Sequence, residues 1–231
     1  WHLSKMHVQQ AWQLTTGSPD VTIAVIDTGV VAEHKDLILR QSSDSYDFFS
    51  DIDNSGDGDG DGCDRDASDP GNGRDNPWCL NSALEISSFH GTHVAGIIAA
   101  ETNNHYGTSG ITQHGNIMNL RALGCVGGNA LDNANAVRYA AGLENDSGVL
   151  PRKKAHIINL GLSSTGDSRV LKAAIKAARA EGIIVIAAAG NLASSQAYYP
   201  VAYDGVIGVS AVDAQCELAD KPYLKNDAFN W

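Results

Sequence analysis

A carboxylate, an imidazole and an amide stand where the pattern of this sequence changes. Val21-Thr-Ile-Ala-Val-Ile runs as an apolar, β-branched stretch into Asp27-Thr28-Gly29, so a buried strand ends on a carboxylate. A strand-terminal Asp serves equally well as a helix cap or a turn residue, and alone it decides little. His90-Gly91-Thr92-His93-Val94-Ala95-Gly96 then leads into Ile97-Ile98-Ala99-Ala100. These small residues suit a closely packed helix, and His90 in its first turn presents an imidazole at the edge of a cleft. Ala187-Ala188-Ala189-Gly190-Asn191 ends another strand on a flexible residue and a side-chain amide, a donor able to meet a developing oxyanion.

Such groups need a scaffold that gathers strand ends. Short apolar runs occur at Val21–Ile26, Ile117–Leu123, His156–Leu160, Ile183–Ala189 and Val206–Val212, as expected of strands buried on both faces of a parallel sheet. Helical patterns lie between them. In Ser168–Glu181, Leu171, Ala174, Ile175 and Ala178 share one face, Lys172, Lys176 and Arg179 share the other, and Gly182 supplies the stop. Ala134–Leu143 reads as a second helix. The alternation predicts right-handed βαβ units, hence an α/β fold with a doubly wound, mostly parallel sheet and helices on both faces. Function in such sheets gathers at the carboxyl ends of the strands.

The chain of 231 residues, 43% of them hydrophobic, suffices for one domain or a large part of one. No run of eighteen apolar residues is present, so no membrane span is expected, and Trp1–Gln10 lack the apolar core of a signal peptide. The net charge of −11 argues against a nucleic-acid partner. Its distribution is uneven: residues 51–76 hold nine Asp against Arg65 and Arg74. This Gly-rich stretch interrupts the α/β pattern as an inserted loop. Cys63 and Cys79 flank it, and a disulfide between them would close a loop worth ~3 kcal/mol of unfolded-state entropy. Cys125 and Cys216 pair with each other, pair elsewhere or stay free. The cysteines point to an oxidising, secreted setting and give no zinc spacing.

Taken in order, the I-D-T-G turn, the H-G-T-H-V-A-G segment and the A-A-G-N strand end resemble the subtilisin-family serine endopeptidases. The resemblance runs over nearly the whole chain. It implies that Asp27 orients His90, that His90 takes a proton from a serine and that Asn191 donates to the tetrahedral oxyanion. It implies substrate pairing with Gly127-Gly128-Asn129 and with Gly161-Leu162-Ser163, the latter departing from the family's usual S-L-G. The main-chain contacts would hold protein or peptide substrates in an extended form. Residues 1–231 are therefore expected to form an incomplete domain of this kind. Its serine would lie beyond residue 231, supplied by a further C-terminal segment or a second chain, and a propeptide is possible. Ser109, in Gly107-Thr108-Ser109-Gly110, falls where the family has a metal-binding turn and is not expected to be the nucleophile. His93 is expected to pack, and His34 and His105 to lie in loops. Tyr199-Pro200 is expected to be cis, because Tyr-Pro occupies the matching place in the family.

The resemblance also implies calcium. At one site the carbonyls of Thr102, Tyr106 and Thr108 would join the side chains of Asn104 and Asp36. The insertion offers a second, since Asp57-Gly58-Asp59-Gly60-Asp61-Gly62 has a D-x-D-x-D-G pattern and a register from Asp53 places Asp64 twelfth. Two other functions compete with a secreted peptidase. A pseudoenzyme or binding module would keep the cleft without a serine, and a nucleotide-binding α/β protein would need a glycine fingerprint that does not follow the first strand.

Overall fold

The computed structural model of the chain describes residues 1–57, 62–191 and 194–213. Two short helices, α1 (His2–Lys5) and α2 (Val8–Ala11), precede β1 (Thr22–Asp27), β2 (Tyr46–Asp47), α3 (His90–Ala99), β3 (Asn116–Arg121), α4 (Ala130–Ala140), β4 (Ile157–Leu160), α5 (Arg169–Ala180), β5 (Ile184–Ala188) and β6 (Ile207–Val209). The six strands make one parallel sheet in the order β2-β3-β1-β4-β5-β6.

Central β1 explains the topology. Its residues alternate between two apolar layers, as strand geometry requires. Ala24 and Ile26 join the core that α4 and α5 build with Val137, Leu171 and Ile175, while Val25 joins Leu37, Ala95, Ala99 and Ile117 beneath α3. β3 lies on one side of β1 and β4 on the other, so the chain reverses direction across the sheet at this strand. Crevices open at such switch points, beyond the carboxyl ends of the strands, and Asp27 ends β1 there.

The helices start where their caps dictate. Ser168 Oγ accepts from the Leu171 amide at 3.3 Å, and α5 buries Leu171, Ala174, Ile175 and Ala178 as its period predicts. Helix α4 begins four residues before the expected Ala134. The Asn129 side chain accepts from the amides of Leu131 and Asp132, each at 2.9 Å, a capping signal that outweighs the weak apolar periodicity of the first turn. The Tyr199–Pro200 peptide is cis.

The structure corrects the expected disulfide. Cys79 is bonded to Cys125, 46 residues away, with Cα atoms 5.2 Å apart, and Cys63 is exposed and unpaired. The segment after β3 turns back to meet the insertion, a proximity that spacing along the chain does not reveal; Cys216 lies outside the described residues. The insertion is also anchored from within. Arg121, at the end of β3 and only 1% exposed, donates to Asp47, to Asp57 at 2.6 Å and to the Ser55 carbonyl. Burial pushes the Asp47 carboxyl up to about 7 despite the opposing pull of Arg121.

Candidate active site

Asp27 is fully buried, and its two oxygens lie 2.8 and 2.9 Å from His90 Nδ1. The Thr28 amide donates to Asp27 Oδ1 at 2.8 Å, which leaves the carboxylate oriented before any substrate arrives. Phe89, at φ 47°, turns the chain sharply into α3 so that His90 opens the helix. Two glycines permit the close approach. A Cβ on Gly91 would come within 2.2 Å of the Gly29 carbonyl oxygen, and one on Gly161 within 2.7 Å of Asp27 Oδ2 and 3.3 Å of His90 Cε1. The ends of β1 and β4 and the start of α3 therefore meet with no space for side chains between them.

Electrostatics favour a basic imidazole. Burial lowers the His90 pKa, but the hydrogen bond and charge of Asp27, aided by the charge of Asp69, more than offset this and hold it above its ordinary value. In the sequence Asp69 is one acid among the nine of residues 51–76, and no catalytic motif marks it out. It is buried, and its Oδ2 accepts from Thr28 Oγ1 at 2.6 Å while the Gly91 amide donates to the same hydroxyl at 3.0 Å. Its Oδ1 accepts from the Gly71 amide at 3.0 Å. The Asp69-Pro70-Gly71 turn was the available signal. Burial pushes the Asp69 carboxyl up to about 6, against the lowering effect of these two hydrogen bonds.

A cavity of about 510 Å³ opens beside this pair. His90 and Asn191 line it, as do both expected edges, Gly127-Gly128-Asn129 and Gly161-Leu162-Ser163. Ser109 lies elsewhere, its hydroxyl 2.9 Å from Thr102 Oγ1.

The residues suggested for metal binding fall into two places. Asp36 is 2% exposed, and the loop of residues 102–108 wraps it: Asn104 Nδ2 donates to one oxygen at 2.6 Å and the Thr108 amide to the other at 2.9 Å. Tyr106 lies within this loop, its amide donating to Asn104 Oδ1 at 3.1 Å. No ion pair compensates Asp36 among the described residues. In the insertion, Asp57 turns to Arg121 and Ser55, Asp64 accepts from the Asp66 amide at 2.7 Å, and Asp53 is exposed. Asp59 and Asp61 lie outside the described residues. Among those described, no group of three or more His, Cys, Asp or Glu side chains is placed to hold a metal ion.

Residues 18–224 match the family model described as Subtilase family. The chain is 39% identical over 214 residues to the thermophilic serine proteinase of Bacillus sp. strain AK1, covering 92% of this chain and 43% of that protein. It is 36% identical over 209 residues to an extracellular protease of Xanthomonas campestris pv. campestris, covering 89% and 35% respectively. It is 33% identical over 210 residues to thermitase of Thermoactinomyces vulgaris, covering 90% and 61%. Among solved structures, a chain described under proteases from Pseudoalteromonas arctica PAMC 21717 superposes with a TM-score of 0.77 at 36% identity, covering 87% of this chain and 59% of that one. The chain thus spans less than two thirds of each of these relatives.

Proposed function

The chain belongs to the subtilase family, and from that premise we propose that it carries the acid, the base and the oxyanion donor of a secreted serine endopeptidase whose nucleophile lies outside residues 1–231. The observation that carries this reading is the 2.8 Å contact between Asp27 and His90 Nδ1 beside a cavity that Asn191 also lines. Asp27 holds the tautomer in which Nδ1 bears the proton, so that Nε2 can take one from the serine hydroxyl as it attacks the peptide carbonyl. An extended substrate lies between the edges 127–129 and 161–163, and the Asn191 amide donates to the carbonyl oxygen as negative charge gathers there. The imidazolium, stabilised by Asp27, then protonates the departing amine. Water, activated by the same imidazole, hydrolyses the acyl-enzyme in a second round.

Extracellular relatives and the Cys79–Cys125 bond support secretion. Calcium fits the first suggested site better than the second. A buried carboxylate without a cationic partner among the described residues, inside a loop able to offer carbonyls from Thr102, Tyr106 and Thr108, suits a hard cation. There the ion would fix the loop that follows α3 and take no part in bond cleavage.

The test is His90→Ala in the complete protein, assayed with a general peptide substrate and a serine-directed phosphonate. The native protein is expected to be labelled and to turn over substrate. The variant should keep its fold by circular dichroism and lose roughly 10⁴-fold or more in kcat. A variant retaining activity within tenfold of the native protein would overturn the assignment.

A further inference from the structure

The chain holds a single Asn-Gly step, Asn72-Gly73, and Asn72 stands in the wall of the cavity that His90 lines. In such a step no side chain shields the amide nitrogen that follows the carboxamide. Both groups face the short segment 87–88. Asn72 Oδ1 accepts from the Ser88 amide at 2.8 Å and from the Ser88 hydroxyl at 3.0 Å. A backbone amide only donates, so the oxygen is the atom that faces residue 88, and Nδ2 is turned away with no hydrogen bond among the described residues. The Gly73 amide donates to Ser87 Oγ at 3.0 Å, and that hydroxyl donates to Asp75 Oδ1 at 2.6 Å. The Ser87 amide holds the same carboxylate oxygen at 2.8 Å. A Cβ on residue 73 would come within 2.3 Å of the Ser87 nitrogen, so only glycine brings the backbone this close.

These contacts supply each part of an acyl transfer in which the chain is both reactants. The Gly73 nitrogen is the nucleophile, and Ser87 and Asp75 form the path by which its proton leaves. The two Ser88 donors stand where charge would gather on Oδ1 as Cγ becomes tetrahedral. Nucleophile and electrophile are neighbours in sequence and have no translational freedom left to lose.

We propose that Asn72 is a site of self-catalysed deamidation. The Gly73 nitrogen bonds to Asn72 Cγ while its proton passes to Ser87 Oγ and the Ser87 proton passes to the Asp75 carboxylate. The tetrahedral intermediate collapses by breaking the Cγ–Nδ2 bond, and Nδ2 takes up that proton and leaves as ammonia. The cyclic succinimide that remains adds water. Opening of its bond from Cγ to nitrogen yields aspartate at position 72, and opening of its bond from the main-chain carbonyl to nitrogen yields isoaspartate. The product replaces a neutral amide by a carboxylate in the cavity wall, where its charge favours a protonated His90. The reaction needs no serine from outside the chain and is independent of the endopeptidase reading.

The experiment holds the complete protein, folded and treated with the serine-directed phosphonate to suppress self-cleavage, in mildly alkaline oxygen-labelled water. Peptide mass spectrometry follows conversion at each asparagine, and residues 69–78 are held alongside as a free synthetic peptide. Conversion at Asn72 should be about tenfold faster in the folded protein than in the peptide, because only the fold supplies the proton path and the oxyanion donors. The label should enter the new carboxyl group, and exposed Asn81-Ser82 should trail Asn72. Asp75→Asn, which keeps an acceptor for Ser87 and removes the base, should bring the folded rate down to that of the peptide, as should Ser87→Ala. Should these variants fail to fold, the ratio of native protein to peptide decides the case alone. A native protein that converts at the peptide's rate or more slowly overturns the inference, and so does an undiminished rate in folded Asp75→Asn.

Discussion

Asp69 is the residue whose charge reaches His90 without touching it. The Thr28 hydroxyl joins them, donating to Asp69 and accepting from the Gly91 amide, so the second carboxylate both braces the turn that carries Asp27 and adds negative potential at the imidazole. Asp69→Asn keeps the shape and removes the charge. The imidazolium loses support, its pKa falls, and the acidic limb of kcat/KM moves to lower pH, because less acid is then needed to leave His90 unprotonated. A pH profile of the complete protein, or an NMR titration of the His90 ring, reads this directly; an unchanged or upward shift would show that Asp69 is only structural. Asp27, His90 and Asn191 were legible in the sequence because each sits in a motif at a strand end or helix start. Asp69 was not. Burial separates it from its acidic neighbours, and burial is a property of the path of the chain, which composition conceals.

Elements were legible where periodicity alone specifies them. The strands β1, β3, β4, β5 and β6 and the amphipathic helix α5 follow from apolar patterning, whereas two-residue β2 is too short to carry any pattern. Pairing of distant segments is a different matter. Cys125 follows β3 and Cys79 closes the insertion, and the two meet because the chain after β3 folds back against Asn54 and Cys79, with the Cys125 amide donating to the Asn54 carbonyl at 2.8 Å. This cross-link spans 46 residues, so its removal should free a large denatured ensemble. Cys125→Ser is expected to lower the unfolding free energy by about 2–4 kcal/mol, measured as a shift of the urea midpoint at constant slope. Cys63→Ser, at an exposed position, should change it by less than about 0.5 kcal/mol. Equal effects from the two variants would contradict the pairing. The bond also borders the cavity, since Gly124 and Val126 on either side of Cys125 line it.

At the scale of the whole molecule, the net charge of −11 is concentrated in an insertion that a buried arginine helps to tie to the sheet. Arg121 accounts for Asp47 and Asp57 by direct pairing, which lowers the need for a cation among them. Asp36 is the opposite case. Two neutral donors from an exposed loop hold its buried side chain, with no ion pair among the described residues, and a buried carboxylate in that position is destabilising unless something positive completes it. An ion bound by the native state alone stabilises by mass action, about 2.7 kcal/mol when its concentration is a hundred times Kd. Calcium should therefore raise the thermal midpoint of the complete protein, and EDTA should lower it again. Asp36→Ala is expected to abolish that calcium-dependent increment. The increment, and not the absolute midpoint, is the proper readout, because Asp36→Ala also breaks the bonds to Asn104 and Thr108 and costs stability with or without the ion. A midpoint indifferent to calcium in the native protein would remove the support for both suggested sites. An increment that survives Asp36→Ala would assign the ion to the acidic insertion instead, where Arg121 leaves the charges beyond Asp57 to be balanced by other means.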